Sequence, residues 1–169
     1  MNLSSLEQSL YHFMQNSPFD IGFFHPYIVD FAIVVPLLAL FFHFIAVLTA
    51  GNECSNKGYT GAANLLFFAS FILVLLAFLT GIAQDDHMRD LLPKEGQGTY
   101  DAHVRLGTYI TLEYAFLLFV KIISMIVKKD ALRYIVGTLF FFLAMLLIYQ
   151  DVIGISLVYD YGAGVAIAE

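Results

Sequence analysis

The chain has 169 residues, 60% of them hydrophobic and only 13% charged, and a net charge of -6 at pH 7. So few charges, against about a quarter in soluble domains, place it in a lipid bilayer as a single domain with no compositional break for a linker. The negative balance and the lack of a basic run exclude nucleic acid as a partner, because neutralising phosphates needs clustered Lys and Arg.

Residues 1–22 carry Leu3, Leu6, Leu10, Phe13 and Met14 at helical spacing beside Glu7, Gln8 and Gln15, which predicts a short interfacial helix. A basic n-region and a continuous apolar core are missing there, so a cleavable signal peptide is not expected. The first span is predicted over 27–50, from Tyr27 to Ala50, broken only by Asp30 and His43. The second covers 60–84 without a charge, and the third covers 105–127 with Glu113 and Lys121 inside it. The fourth starts at Leu132 and runs past Asp151 to residue 158. All reach or approach the roughly 20 apolar residues that cross hydrocarbon. The connections GNECSNKG, DDHMRDLLPKEGQGTYDAH and KKD suit antiparallel neighbours. The expected fold is all-α: an integral membrane up-down four-helix bundle with a short N-terminal interfacial helix.

Orientation follows the Lys and Arg bias of short loops. Lys57, Lys128, Lys129 and Arg133 lie on the side of the first and third loops, with Lys121 near enough to snorkel there. The opposite side has Arg89, Lys94 and Arg105 and both termini. Termini at the outer face are expected, which in a bacterium means the periplasmic side of the inner membrane. The lone Cys54 then faces the reducing cytoplasm.

This topology gathers His25, His87, His103, Asp30, Asp85, Asp86 and Asp151 at the outer level. Imidazole is the usual protein ligand of b-type haem, and two on facing helices give a six-coordinate, electron-transferring iron. His25 and His103 flank the first and third spans and form the preferred pair, with Arg105 placed to meet a propionate and Arg89 or Lys94 serving likewise. A second chemistry from the same residues is a transition-metal site of His25, His87 and His103 with Asp30 or its acidic neighbours, although no local motif such as HExxH is present. Taken singly, each histidine is equally a helix cap or interface anchor, and the protein is then a structural or assembly subunit without a cofactor.

His43 lies eighteen residues after His25, five helical turns and about 27 Å along the same face. It has no second histidine at its level, only Met125, so a polar helix contact is expected of it rather than a second haem. Glu113 is costly in mid-bilayer, which makes an interhelical hydrogen bond or a proton path its two readings, the latter requiring a homo-oligomer. On the same helix, Tyr114 and Lys121 share the face of His103, with Glu113 turned by about 80°. Nucleophile-base arrangements and glycine-rich phosphate loops are absent, so an electron carrier or subunit is expected rather than a stand-alone enzyme.

The segments HPYIVDFAIVVPLLALFFH from His25, LAFLTGIAQD from Leu76, DAHVRLG around His103 and GISLVYDYGAGV from Gly154 resemble the uncharacterised bacterial membrane family called domain of unknown function 2231. The likeness covers residues 23–165. It implies a four-helix membrane protein, and the joining of some members to Rieske-type iron-sulfur domains implies redox company. Quinol, a periplasmic cytochrome or an iron-sulfur protein are the partners this suggests. His25 and His103 match family positions, whereas His87 and His43 are particular to this chain. The family's HPxxVHFP opening is altered here, with Asp30 for its second histidine and Ala32 for its proline. The closing Tyr159, Tyr161, Gly162 and Gly164 either cover the site or simply end the last helix.

Overall fold

A computed structural model describes residues 24–127 and 129–163, without the side chains of Asp86 and His87. The interfacial segment expected over residues 1–22 lies outside these residues. Among the described residues five helices follow in chain order: α1 His25–Leu48, α2 Glu53–Ala83, α3 Asp85–Leu91, α4 Lys94–Val127 and α5 Asp130–Tyr161. Four of them, α1, α2, α4 and α5, are long and apolar enough to cross a membrane. Helices α2, α4 and α5 begin before their apolar stretches. Pro26 sits in the first turn of α1, where a missing N–H costs nothing. Asn52 caps α2 by accepting the Ser55 N–H at 3.2 Å. The intervening turn is stitched by Thr49 Oγ1 donating to the Ile45 carbonyl at 2.8 Å and by Asn56 Nδ2 donating to Ala46.

The long helices close a ring in which α1 packs on α2 and α5, and α4 packs on α2 and α5. Helices α1 and α4 therefore stand on a diagonal. Small residues allow the close approach: Ala32, Ala39 and Ala46 are buried at seven-residue intervals on α1, as are Ala63 and Ser70 on α2. In lipid this matters more than hydrophobicity, because hydrocarbon tails are as apolar as the side chains and backbone proximity decides the packing. The centre is aromatic. Phe67 of α2 meets Phe140 of α5 edge-on at 5.0 Å and Tyr114 of α4 at 5.4 Å, and Tyr114 and Phe140 lie 6.0 Å apart. Outside, Phe31, Phe41, Phe116, Phe119 and Phe142 are exposed, which suits a surface bathed in lipid.

The polar stretch between the second and third spans is helical for most of its length. Gln84 ends α2 and starts α3, then Leu92 and Pro93 break the chain before α4 begins at Lys94. Arg89 holds this corner, its Nε pairing with Asp85 at 3.1 Å and Nη1 with Asp101 of α4 at 2.6 Å. Partial burial opposes the Arg89 charge, but hydrogen bonds and proximity to both carboxylates outweigh it and raise the guanidinium pKa above its usual range. The side chain also lies over the Tyr100 ring at 5.3 Å. Because these groups are substantially exposed, Arg89→Gln should cost only about 1 kcal/mol globally. Its clearer signature is local: amide hydrogen exchange in α3 should rise while the centres of α2 and α4 stay protected.

At the same end α5 terminates in an αL glycine cap. Gly162 adopts φ 73°, its N–H bonds to the Val158 carbonyl at 3.0 Å, and Ala163 N–H reaches Leu157 at 2.9 Å. Tyr161 folds onto Gly96, where a Cβ would meet its ring at 2.9 Å, and the cap joins Leu92, Tyr100 and Leu157 in a small apolar cluster.

Candidate functional site

The described chain ends, α3 and the start of α4 mark a terminal end of the bundle, and the two tight turns mark a turn end. His25 and His103 both sit at the terminal end. His25 begins α1 and turns towards α2, where Nδ1 lies 3.0 Å from the Ala77 carbonyl and 3.1 Å from Thr80 Oγ1. That carbonyl is open because position 81, one helical turn on, is glycine: a Cβ there would stand 3.0 Å from the His25 ring. His103 projects from α4 towards α5 against Gly154, whose Cβ would lie 3.2 Å from the ring, and the Gln150 carbonyl one turn earlier faces the imidazole. Gln150 returns the contact, Nε2 donating to the His103 carbonyl at 2.9 Å over Gly107, where a Cβ would come within 3.2 Å of the amide.

His43, towards the turn end, repeats the arrangement on the α1/α5 seam. Its ring lies against Gly137, with the Arg133 carbonyl one turn earlier as partner. Four polar side chains thus use one device. A helix carbonyl has a second lone pair after making its i→i+4 bond, and a glycine at i+4 removes the side chain that would cover it. An interhelical bond of this kind is worth about 1 kcal/mol in a membrane. The expectation that His43 makes a polar helix contact agrees with this seat. Gln150 and the four glycines escaped the sequence argument, although glycine inside an apolar helix, about 1 kcal/mol worse than alanine, is a signal in itself.

The imidazoles of His25 and His103 come from diagonal helices and are close enough to interact electrostatically. The His103 Nδ1 atom is buried without a hydrogen-bond partner. The other expected ligands do not join them. Asp30 is exposed, carried about 140° round α1 from His25, and instead approaches Asp151 of α5. Arg105 is exposed, about 200° round α4 from His103. Asp85 is committed to Arg89, and the His87 side chain lies outside the described residues. Among the described residues, no group of three or more His, Cys, Asp or Glu forms a metal-binding cluster.

On α4, Tyr114 is fully buried and Lys121 is 8% exposed, so the face shared with His103 looks inward. Lys121 turns into the bundle: its Nζ lies 5.7 Å from the centre of the Phe67 ring and it lines a cavity at the turn end. Glu113 is on the outer side of α4 and makes no hydrogen bond or ion pair with a described residue. Tyr159 is also turned outward, while Tyr161 closes over α4.

Four apolar spans ringed around an aromatic centre, with imidazoles seated on the seams between helices, define a small multi-pass membrane protein. The chain belongs to the uncharacterised family described as predicted membrane protein, DUF2231, whose pattern matches residues 23–167. No curated protein and no solved structure matches it.

Proposed function

We propose that the protein is a membrane-embedded electron carrier that holds one b-type haem between His25 and His103. The observation that carries this reading is the hydrogen bond from His25 Nδ1 to the Ala77 carbonyl. A proton held at Nδ1 leaves the Nε2 lone pair for a metal, the arrangement that orients most ligating histidines. His103 supports it with a buried ring nitrogen lacking a partner, and the glycine seats at Gly81 and Gly154 set both ring positions. Haem iron held by two imidazoles supplies a one-electron couple. Around it, the chain's residues fix two ring planes against helix carbonyls, and Leu92, Tyr100, Leu157 and Tyr161 keep water from the terminal end. With that end outward, at the periplasmic face of a bacterial inner membrane, quinol, a periplasmic cytochrome or an iron-sulfur protein would exchange the electron.

Protein purified in detergent from haem-sufficient cells should show a Soret band, with α and β bands sharpening on dithionite. His103→Ala should remove most of it. A colourless wild-type preparation overturns the proposal, and elemental analysis of that preparation distinguishes a non-haem metal from none.

His43 favours a second reading, because it occupies the same kind of seat on Gly137 without a second histidine beside it. On that reading all three imidazoles are interhelical clasps in a structural or assembly subunit. The wild type would then be colourless, and His103→Ala would reduce stability without any spectral change.

A further inference from the structure

A cavity of about 220 Å³ opens at the turn end between α1, α2, α4 and α5, far larger than the roughly 30 Å³ share of one water. Its charge is unbalanced: Lys121, Lys129 and Arg133 line it, with Asp130 as the carboxylate among the described lining residues. Lys121 is more than nine-tenths buried and forms no ion pair or hydrogen bond with a described residue. Arg133 Nη2 is buried and unpartnered, and so is the Asn64 Oδ1 acceptor on α2. His43, Lys121 and Arg133 are near enough to act on one another electrostatically. The first turn of α5, at Asp130, also faces the cavity, adding the positive end of a long helix to the same field.

Three cations against one carboxylate among the described lining residues, with Lys121 more than nine-tenths buried as a residue, call for an anion, since unbalanced charge inside an apolar bundle is unfavourable. A tetrahedral phosphate presents acceptor oxygens in several directions, so it can meet cations contributed by α4 and α5 together, and a guanidinium fork pairs with it bidentately. We propose that this cavity binds a phosphate oxyanion, supplied either as the headgroup of an acidic phospholipid or as free phosphate. Basic pockets between spans are known positions for lipid phosphates. The site is at the opposite end from His25 and His103, so it stands or falls independently of haem binding.

Native mass spectrometry of the full chain in detergent, with short-chain phosphatidic acid or phosphatidylcholine, tests it. One phosphatidic acid should stay bound and phosphatidylcholine should dissociate. Lys121→Met and Arg133→Gln should each weaken retention about tenfold or more, and Lys121→Arg should preserve it. Thermal unfolding in inorganic phosphate, against chloride at equal ionic strength, separates the sources. An equal rise in Tm with phosphate and with phosphatidic acid identifies free phosphate as sufficient, and a rise with the lipid alone identifies the headgroup. Equal retention of both lipids by the wild type overturns the proposal without recourse to any variant, as does the absence of any adduct or Tm shift. Undiminished binding by the well-folded double variant places the anion elsewhere and overturns it too.

Discussion

Gly137→Ala should destabilise the bundle by about 1–3 kcal/mol, and His43→Ala in the same chain should recover much of that loss. A Cβ at 137 would stand 2.6 Å from His43 Nε2 and 3.1 Å from Cδ2, closer than real contacts allow. The imidazole is buried between α1 and α5 with the Arg133 carbonyl as its partner, and moving off the seam gives up that contact. The methyl group both displaces the ring and covers the carbonyl it uses. Gly58→Ala is the control, because nothing lies within 4 Å of its Cβ position and alanine favours the helix. Reversible unfolding in mixed micelles should find Gly58→Ala neutral or stabilising. If Gly137→Ala behaves the same way, the seat described for His43 is wrong.

Phe67→Ala should be the most damaging single truncation, costing about 3 kcal/mol or more. Three neighbours lose a partner together: Phe140 at 5.0 Å, Tyr114 at 5.4 Å and the Lys121 ammonium at 5.7 Å. Lipid cannot refill a void enclosed by three helices, so the lost dispersion contacts are not replaced. Phe142→Ala, on the lipid-facing side of α5, removes the same atoms from a place where acyl chains substitute for them, and should cost less than about 1 kcal/mol. The same unfolding assay ranks the two. Similar losses would show that the aromatic centre is not where stability is concentrated.

Much of this architecture is written in the composition. Crossing hydrocarbon demands long apolar runs, and each of the four runs falls largely on one long helix. The inward face of α4 follows from spacing alone, since eleven and eighteen residues after His103 bring Tyr114 and Lys121 to the same side. The family motifs HP and DAHVRLG likewise carry His25 and His103 to one end. What could not be read depends on register between helices. Nothing local to Gly81 says that His25 will arrive beside it, and nothing local to Lys121 says that it will turn into a cavity with Arg133. Membrane depth groups Arg105 and Asp30 with the histidines, yet depth is not azimuth, and a helix separates residues two or five apart onto different sides. The α3 corner was hidden for another reason: DDHMRDL is too polar and too short to show an apolar stripe, and it is held by Arg89 bridging to Asp101.

Gln150, Gly154 and Tyr161 all belong to α5, which is synthesised after the other three described spans. His103 therefore waits, through synthesis, for the groups that will seat it. Until α5 has entered the membrane, its ring has no Gly154 to rest on and its carbonyl no Gln150 amide to accept. Once Tyr161 closes on Gly96, the terminal end is sealed by residues from both of the last two spans. The timing of the site is thus tied to completion of the described bundle, so that a chain interrupted before its fourth span carries the histidines but not the place that holds them.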